Sequence, residues 1–301
     1  MTVQRTKARK PDGNNPEVPV PDVDMSMQFT ASPADIGRFR TMVLTRYRNH
    51  GRLMAWRETT DPYRILVSEI MLQQTQVGRV TLKYPEFIAD FPDFATLAGA
   101  PLADVLRVWQ GMGYNRRAIA LQKCAIRVMN EFDGRLPDDA GILSTFPGIG
   151  HATASSIAAF AFNHPVVFIE TNIRRVFIHF FFGDREEVKD TGILPLVEET
   201  LDREDPRVWY WALMDLGTEL KKQVANPNRR SAHYSRQPAF EGSDRKIRGA
   251  ILRLLIASPG MTGPELAGML AEDQDRVCRI LAALEAEGFL LREGSCIFLS
   301  R

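Results

Sequence analysis

In the stretch Leu143-Ser144-Thr145-Phe146-Pro147-Gly148-Ile149-Gly150-His151-Ala152-Thr153-Ala154-Ser155-Ser156-Ile157, one helical pattern ends, a Pro-Gly-x-Gly hairpin follows, and a helix of small residues starts at once. Glycine at two of the turn positions allows positive φ and close approach of the backbone. The N–H groups at the positive end of the second helix can then point outward, which is a geometry that holds a phosphate. As a bare pattern this turn is common between ordinary helices. What gives it weight is its place between two helical patterns, about 80 residues after a candidate acid.

The chain upstream reads as helix after helix. Ser32-Pro33-Ala34-Asp35 supplies an N-cap and first turn to an amphipathic run from Ile36 to Tyr47. Asp61-Pro62-Tyr63 opens another helix, and Val80 to Phe91, a start at Pro92-Asp93, Leu102 to Gln110 and Arg116 to Phe132 continue the series across short Gly or Pro breaks. No sustained alternating run appears here, so an all-α class is expected rather than a parallel-sheet enzyme. At 301 residues and 45% hydrophobic content the chain is long enough for two or three domains. No apolar run approaches the roughly 18 residues of a membrane span and the N-terminus is polar, so a cytoplasmic protein is expected. A net charge of +1 neither requires nor forbids nucleic acid, because binding needs a local basic face. Cys124, Cys278 and Cys296 lie far apart with no metal spacing and read as plain thiols in a reducing compartment.

One carboxylate is out of place. In Ile65-Leu66-Val67-Ser68-Glu69-Ile70-Met71-Leu72-Gln73-Gln74-Thr75-Gln76-Val77, read throughout at helical period, Glu69 has Ile65 and Leu66 one turn before it and Leu72 and Gln73 one turn after. A carboxylate on such a stripe raises its pKa and holds a proton, which is how a general acid is made. Alternatively it snorkels to water at a helix edge, and this helix alone does not choose.

Three runs together make the choice: Ser68 to Val77, then Trp109-Gln110-Gly111-Met112-Gly113-Tyr114, then Phe146-Pro147-Gly148-Ile149-Gly150. In order and spacing they resemble the MutY-type adenine DNA glycosylases of the helix-hairpin-helix superfamily, over roughly residues 36 to 225. The resemblance implies a helix-hairpin-helix glycosylase fold of two helical subdomains with the active site between them. It implies a base-excision-repair enzyme that flips adenine from a mispair with 8-oxoguanine or guanine and hydrolyses its N-glycosidic bond. Glu69 would protonate the base and then activate water. A second carboxylate would stay ionised beside the cationic sugar. Gln73, Gln74 and Thr75 correspond to duplex-wedging and base-contacting positions and Tyr114 to an intercalating tyrosine, whereas Gly148, Gly150 and His151 belong to the phosphate-binding hairpin. The residues themselves also allow solvated surface for the glutamines and core packing for Tyr114. Endonuclease III relatives carry a nucleophilic lysine where this chain has Ala152, so a monofunctional glycosylase is implied.

The chain departs from the family twice. Where the second carboxylate is an Asp, Ile169-Glu170-Thr171-Asn172-Ile173-Arg174-Arg175-Val176 offers Glu170, one methylene longer, with Asn172 retained as a DNA-binding position at a helix N-terminus that can face DNA. Glu170 is taken as a working replacement, against the alternative of an ordinary acidic residue in a helix first turn. After Met214 to Leu220, four cysteines of an iron–sulfur loop should follow, yet the aligned positions hold Lys221, Asn228, Ser231 and Gln237, none a thiolate. No cluster is therefore expected and no metal ligand set. The pattern leaves room only for a monovalent cation at the hairpin. The basic loop 221–237 reads either as a phosphate contact or as a structural plug.

From Ser243 the composition changes. Three amphipathic helices and a two-stranded hairpin, Gly288 to Arg292 and Ser295 to Leu299, resemble a winged-helix domain. Its third helix, Asp273 to Glu287, is the element such a domain would lay on DNA. It is rich in Asp and Glu, so DNA reading, protein docking and a structural role all stay open. The domain plan is thus a disordered tail at 1–33, a glycosylase domain at 34–242 and a winged-helix-like α+β domain at 243–301. Within the glycosylase domain a six-helix barrel covers about 54–164, and the second subdomain is 34–53 plus 165–242. The expected partner is double-stranded DNA containing a mispaired adenine, bound by a monomer near the nucleoid. A mismatch uracil or thymine glycosylase and a non-catalytic DNA-binding protein are the competing readings.

Overall fold

In the computed structural model, residues 24–235 and 242–300 are described. The basic tail residues Lys7, Arg9 and Lys10, together with Arg236 and Gln237 of the cluster-replacing loop, lie outside them. The first helix, α1 (Pro33–His50), begins where the sequence puts it, with the Ser32 side chain accepting the Asp35 N–H. Order starts earlier than residue 33, however. Phe29 is buried against Phe39, Phe180 and Phe181, and its N–H donates to the Phe180 carbonyl at 2.8 Å. One large aromatic gains enough from burial to bring its polar neighbours onto the core, so the disordered-tail boundary is corrected for residues 24–32.

Next come α2 (Pro62–Leu72), α3 (Val77–Asp90), α4 (Phe94–Gly99), α5 (Leu102–Val108), α6 (Arg116–Glu131), α7 (Ala140–Leu143) and α8 (His151–Phe162). They pack as one bundle, with α2 against α8 and α4 against α6. A second bundle joins α1 to α9 (Thr171–Phe181), α10 (Asp190–Thr200) and α11 (Pro206–Gln223), and α8 meets α11 across the seam. The run from Ile65 to Val77 is not one helix. α2 stops at Leu72, Gln74 takes a left-handed φ of 52°, and α3 begins at Val77. The break brings residues 73–76 out of the helical stripe and into the seam.

The C-terminal unit contains α12 (Asp244–Ala257), α13 (Gly263–Leu270) and α14 (Gln274–Ala286) with β1 (Met261–Thr262), β2 (Leu290–Glu293) and β3 (Cys296–Leu299). The expected hairpin is present with Leu290 opposite Leu299, and β1 adds a third antiparallel strand on the far side of β3. Two residues are too short for any alternating signal, and Thr262 is also the capping-box residue of α13. Among the described residues no helix is long and apolar enough to cross a membrane.

Candidate active site

Glu69 lies on α2 where that helix packs on α8. Its side chain is half-buried, and Ser156 on α8 donates to its Oε2 at 2.5 Å. Burial pushes the carboxyl up to about 7. The negative charge of Glu170 adds to that rise, whereas the Ser156 hydrogen bond and the Arg57 guanidinium oppose it. At neutral pH such a group is part acid and part base.

Glu170, on the other subdomain, is near enough for its charge to act on Glu69. It is the N-cap of α9, and its Oε1 accepts the backbone N–H groups of Asn172 and Ile173 at 2.7 and 2.8 Å. The side-chain amide of Asn172 donates to Oε2 at 3.2 Å. Burial raises this carboxyl too, but the two helix N–H groups and the charges of Arg175 and Arg174 pull it down. The net effect is a raised pKa, although Glu170 has more hydrogen-bond donors to its charged form than Glu69 has. Asn172 is itself fixed, since its Oδ1 accepts from Arg175 at 2.7 Å. α11 approaches so closely that a Cβ on Gly217 would stand 2.5 Å from the Asn172 carbonyl, so only glycine permits this packing.

Gln73, Gln74 and Thr75 form the break after α2. Gln73 Nε2 donates to the Gly148 carbonyl at 3.1 Å and the Thr153 hydroxyl at 3.3 Å, which ties the break to the hairpin. Gln74 is exposed. Arg117, at the start of α6, is buried, and it donates to the carbonyls of Ile70, Met71 and Gln73 and to the Thr75 hydroxyl. It also donates to the carbonyls of Met112 and Gly113. One guanidinium thereby satisfies the negative end of α2 and fixes the turn before α6. Tyr114 sits on that turn with φ of 48° and 37% exposure, its ring 5.3 Å from the Arg117 guanidinium and 6.0 Å from that of Arg245.

In the hairpin only Gly148 uses the left-handed region, with φ of 73°, and a Cβ there would meet Ala120 Cβ at 2.7 Å. Gly150 has φ of −85° and is the N-cap of α8, so the expectation of positive φ at two glycines is corrected to one. His151 is exposed in the first turn of α8. Ala152 has no amine to form a Schiff base.

Sequence reasoning missed four residues of this region: Ser156, Arg117, Arg57 and Asp215. The Arg57 guanidinium donates to both oxygens of Asp215 at 2.8 and 3.0 Å, and both side chains are largely buried. No local signal could have paired them, since they are 158 residues apart.

The positions aligned with cluster cysteines turn inward. Lys221 is on the exposed last turn of α11, but Asn228 and Ser231 are buried. Asn228 donates to the Thr171 carbonyl at 2.9 Å, and Asn226 accepts from Arg175 at 3.2 Å. The strand-like bridge between Val188 and Ser231 completes the packing. Residues 226–232 thus pack on α9 through Asn228 and Ser231, while Arg229 stays exposed. None of the three described positions offers a thiolate, so they do not fit an iron–sulfur cluster. Among the described residues no group of three or more His, Cys, Asp or Glu is arranged to hold a metal ion.

The model of the HhH-GPD superfamily base excision DNA repair proteins matches residues 67–192. The adenine DNA glycosylase of Mycobacterium tuberculosis (strain ATCC 25618 / H37Rv) is 33% identical over 281 residues, covering 84% of this chain and 90% of the relative. The chain belongs to this superfamily, among its adenine DNA glycosylases. As a family member it is an enzyme, a DNA N-glycosylase. The protein of that name from Mycolicibacterium smegmatis is 32% identical over 82% of this chain and 91% of its own length. Among solved structures, a thermostable thymine-DNA glycosylase aligns with TM-score 0.54 and 26% identity, covering 60% of this chain and 85% of that one. A trapped endonuclease III–DNA intermediate shares the fold, with TM-score 0.51 and 15% identity, covering 61% and 84%.

Proposed function

We propose that this glycosylase hydrolyses the N-glycosidic bond of adenine mispaired with 8-oxoguanine or guanine in duplex DNA, without lyase chemistry and without an iron–sulfur cluster. The observation that carries the reading is Glu69, a carboxyl raised to about 7 and near a second carboxylate that is better supplied with donors. Protonated Glu69 gives its proton to N7 of the flipped base. The C1′–N9 bond breaks with its electron pair going to adenine, and ionised Glu170 stabilises the sugar cation. Glu69, now a carboxylate, takes a proton from the attacking water, and an abasic site and free adenine result. Ala152 cannot trap the sugar, so the reaction ends there. The fixed N-terminus of α8 and the tied residues Gln73 to Thr75 would hold the strand and the gap left by the base. A winged-helix-like character for residues 243–300 and a monomeric enzyme belong to the same reading.

A second base preference has one observation behind it, the likeness to a thymine-DNA glycosylase. Single-turnover incubation with duplexes carrying A opposite 8-oxoguanine, A opposite G, and T or U opposite G, followed by alkali, separates the two. Cleavage at adenine is the expected result. Cleavage confined to the pyrimidines would replace it, and no strand break in any duplex would reduce the protein to a DNA-binding module. Glu69→Gln should cut the rate by at least about 100-fold while duplex binding persists, and retained excision would put the acid elsewhere.

A further inference from the structure

We propose that the cleft between the α5–α6 turn and α12 binds the phosphate backbone of the DNA strand opposite the base being excised. This rests on the glycosylase reading above. The cleft has a volume of about 1040 Å³, and seven of its lining side chains are Arg or Lys while none is Asp or Glu; two of the seven, Arg116 and Arg248, are paired with Glu287 just outside the lining. A chain with a net charge of only +1 has thus gathered cations on one concave face, the footprint of a polyanion.

The walls are built for the purpose. α12 buries Ile247, Ile251 and Leu255 in the C-terminal unit and turns Arg245, Lys246 and Arg253 toward the cleft. Leu252 and Ile256 of α12 share the floor with Leu106 of α5. On the opposite wall stands Arg79 of α3. Neither Arg79 nor Arg253 has a carboxylate partner among the described residues, and both are exposed. Exposed cations with no internal partner suit phosphate better than a neutral or cationic ligand.

The strand follows from which side of residues 73–75 the cleft lies on. Gln73 is bonded to the hairpin at Gly148 and Thr153, the side on which Ser156 meets Glu69. The excised base and the phosphates of its strand must lie there to reach the acid. Gln73, Gln74 and Tyr114 also line the cleft, so the cleft opens on the other side of the wedge, facing the complementary strand. The C-terminal unit reaches that strand through α12, its first helix, and not through the acidic α14.

The experiment measures duplex binding by fluorescence anisotropy across a salt series, for the full-length protein and for the double variant Lys246→Glu/Arg253→Glu. The expected result is a loss of at least about tenfold in affinity and a log–log salt slope shallower by about 2, because each phosphate contact contributes about 0.9. Circular dichroism and thermal melting verify the fold, and Arg79→Glu on the other wall serves if the double variant unfolds. Neutral methylphosphonates on the opposite strand should weaken the unaltered protein and add little to the variant. On the excised strand they should weaken both alike. Unchanged affinity and slope in the variants, or an opposite-strand tract that weakens both proteins equally, overturns the assignment. Adenine excision is read on the same duplexes. Binding through the cleft with no excision would sink the glycosylase reading alone, and excision with unaltered binding by the variants would sink the cleft alone.

Discussion

Ser156 has one hydroxyl proton and two acceptors within reach, Glu69 Oε2 at 2.5 Å and the Thr153 carbonyl at 2.9 Å. When Glu69 is protonated, its own O–H can donate to Ser156 while Ser156 donates to Thr153. When Glu69 is ionised, Ser156 turns its proton to the carboxylate. Both states are satisfied, and that is the requirement for a group that gives up a proton and later takes one back. The hydrogen bond to the ionised form holds the Glu69 pKa below what burial alone would set. The acid form is half populated at about pH 7 and falls tenfold per unit above it, so single-turnover excision should decline as pH rises past neutrality. Ser156→Ala removes a lowering influence, so the declining limb should move to higher pH. A pH–rate profile with the limb unmoved would deny Ser156 this role. Glu69 stood out in the sequence as an acid on an apolar stripe, but only the resemblance of three separate runs chose between a general acid and a snorkelling side chain. Ser156 was not, because a serine among small helical residues breaks none.

The two helices that matter most end where local pattern said little. Ile65 to Val77 keeps helical periodicity throughout, yet α2 stops at Leu72 because its last carbonyls have a better partner in Arg117 than in another helical turn. The Arg117 charge is buried without a carboxylate and is balanced by carbonyl dipoles and the Thr75 hydroxyl. Its ring contacts add Trp109 at 5.4 Å and Tyr114 at 5.3 Å. Arg117→Met keeps the volume but leaves several carbonyls unsatisfied, for a loss of about 3 kcal/mol in chemical denaturation. It should also free the 73–75 break and the Tyr114 turn, raising their backbone hydrogen exchange above that of α8. Wild-type stability in this variant would mean that the turn is held by its glycines alone. The 226–232 loop shows the same limit. Loss of cysteine was plain at Asn228 and Ser231, but whether the loop faces DNA or the core depended on Thr171 and Arg175, which are more than 50 residues away.

At the scale of the molecule, the helical class and the C-terminal helices and hairpin followed from composition and periodicity, whereas the mutual placement of the units rests on contacts between distant residues, one of them a carboxylate shared by two arginines. Glu287, just past the end of α14, accepts from Arg116 of α6 at 2.6 and 2.7 Å and from Arg248 of α12 at 3.0 Å. That triad joins the C-terminal unit to the glycosylase domain beside the basic cleft. Hydrogen bonds from Arg116 and then Arg248 lower the Glu287 pKa to about 2. A carboxyl held below its unfolded value stabilises the folded state fully above that value, about 4.3, and loses the effect as pH falls through about 2. Docking should therefore be constant from pH 8 to about 5 and weaken below about 4. Arg116 is 72% exposed, so solvent screening holds the contribution to about 1 kcal/mol. Glu287→Gln should remove that amount at neutral pH and flatten the acid dependence. Calorimetry should show the unfolding of residues 242–300 moving to lower temperature, apart from the main transition. If the variant melts in a single unshifted transition at pH 7, the apolar contact of Leu106 with Leu252 and Ile256 holds the two units together by itself.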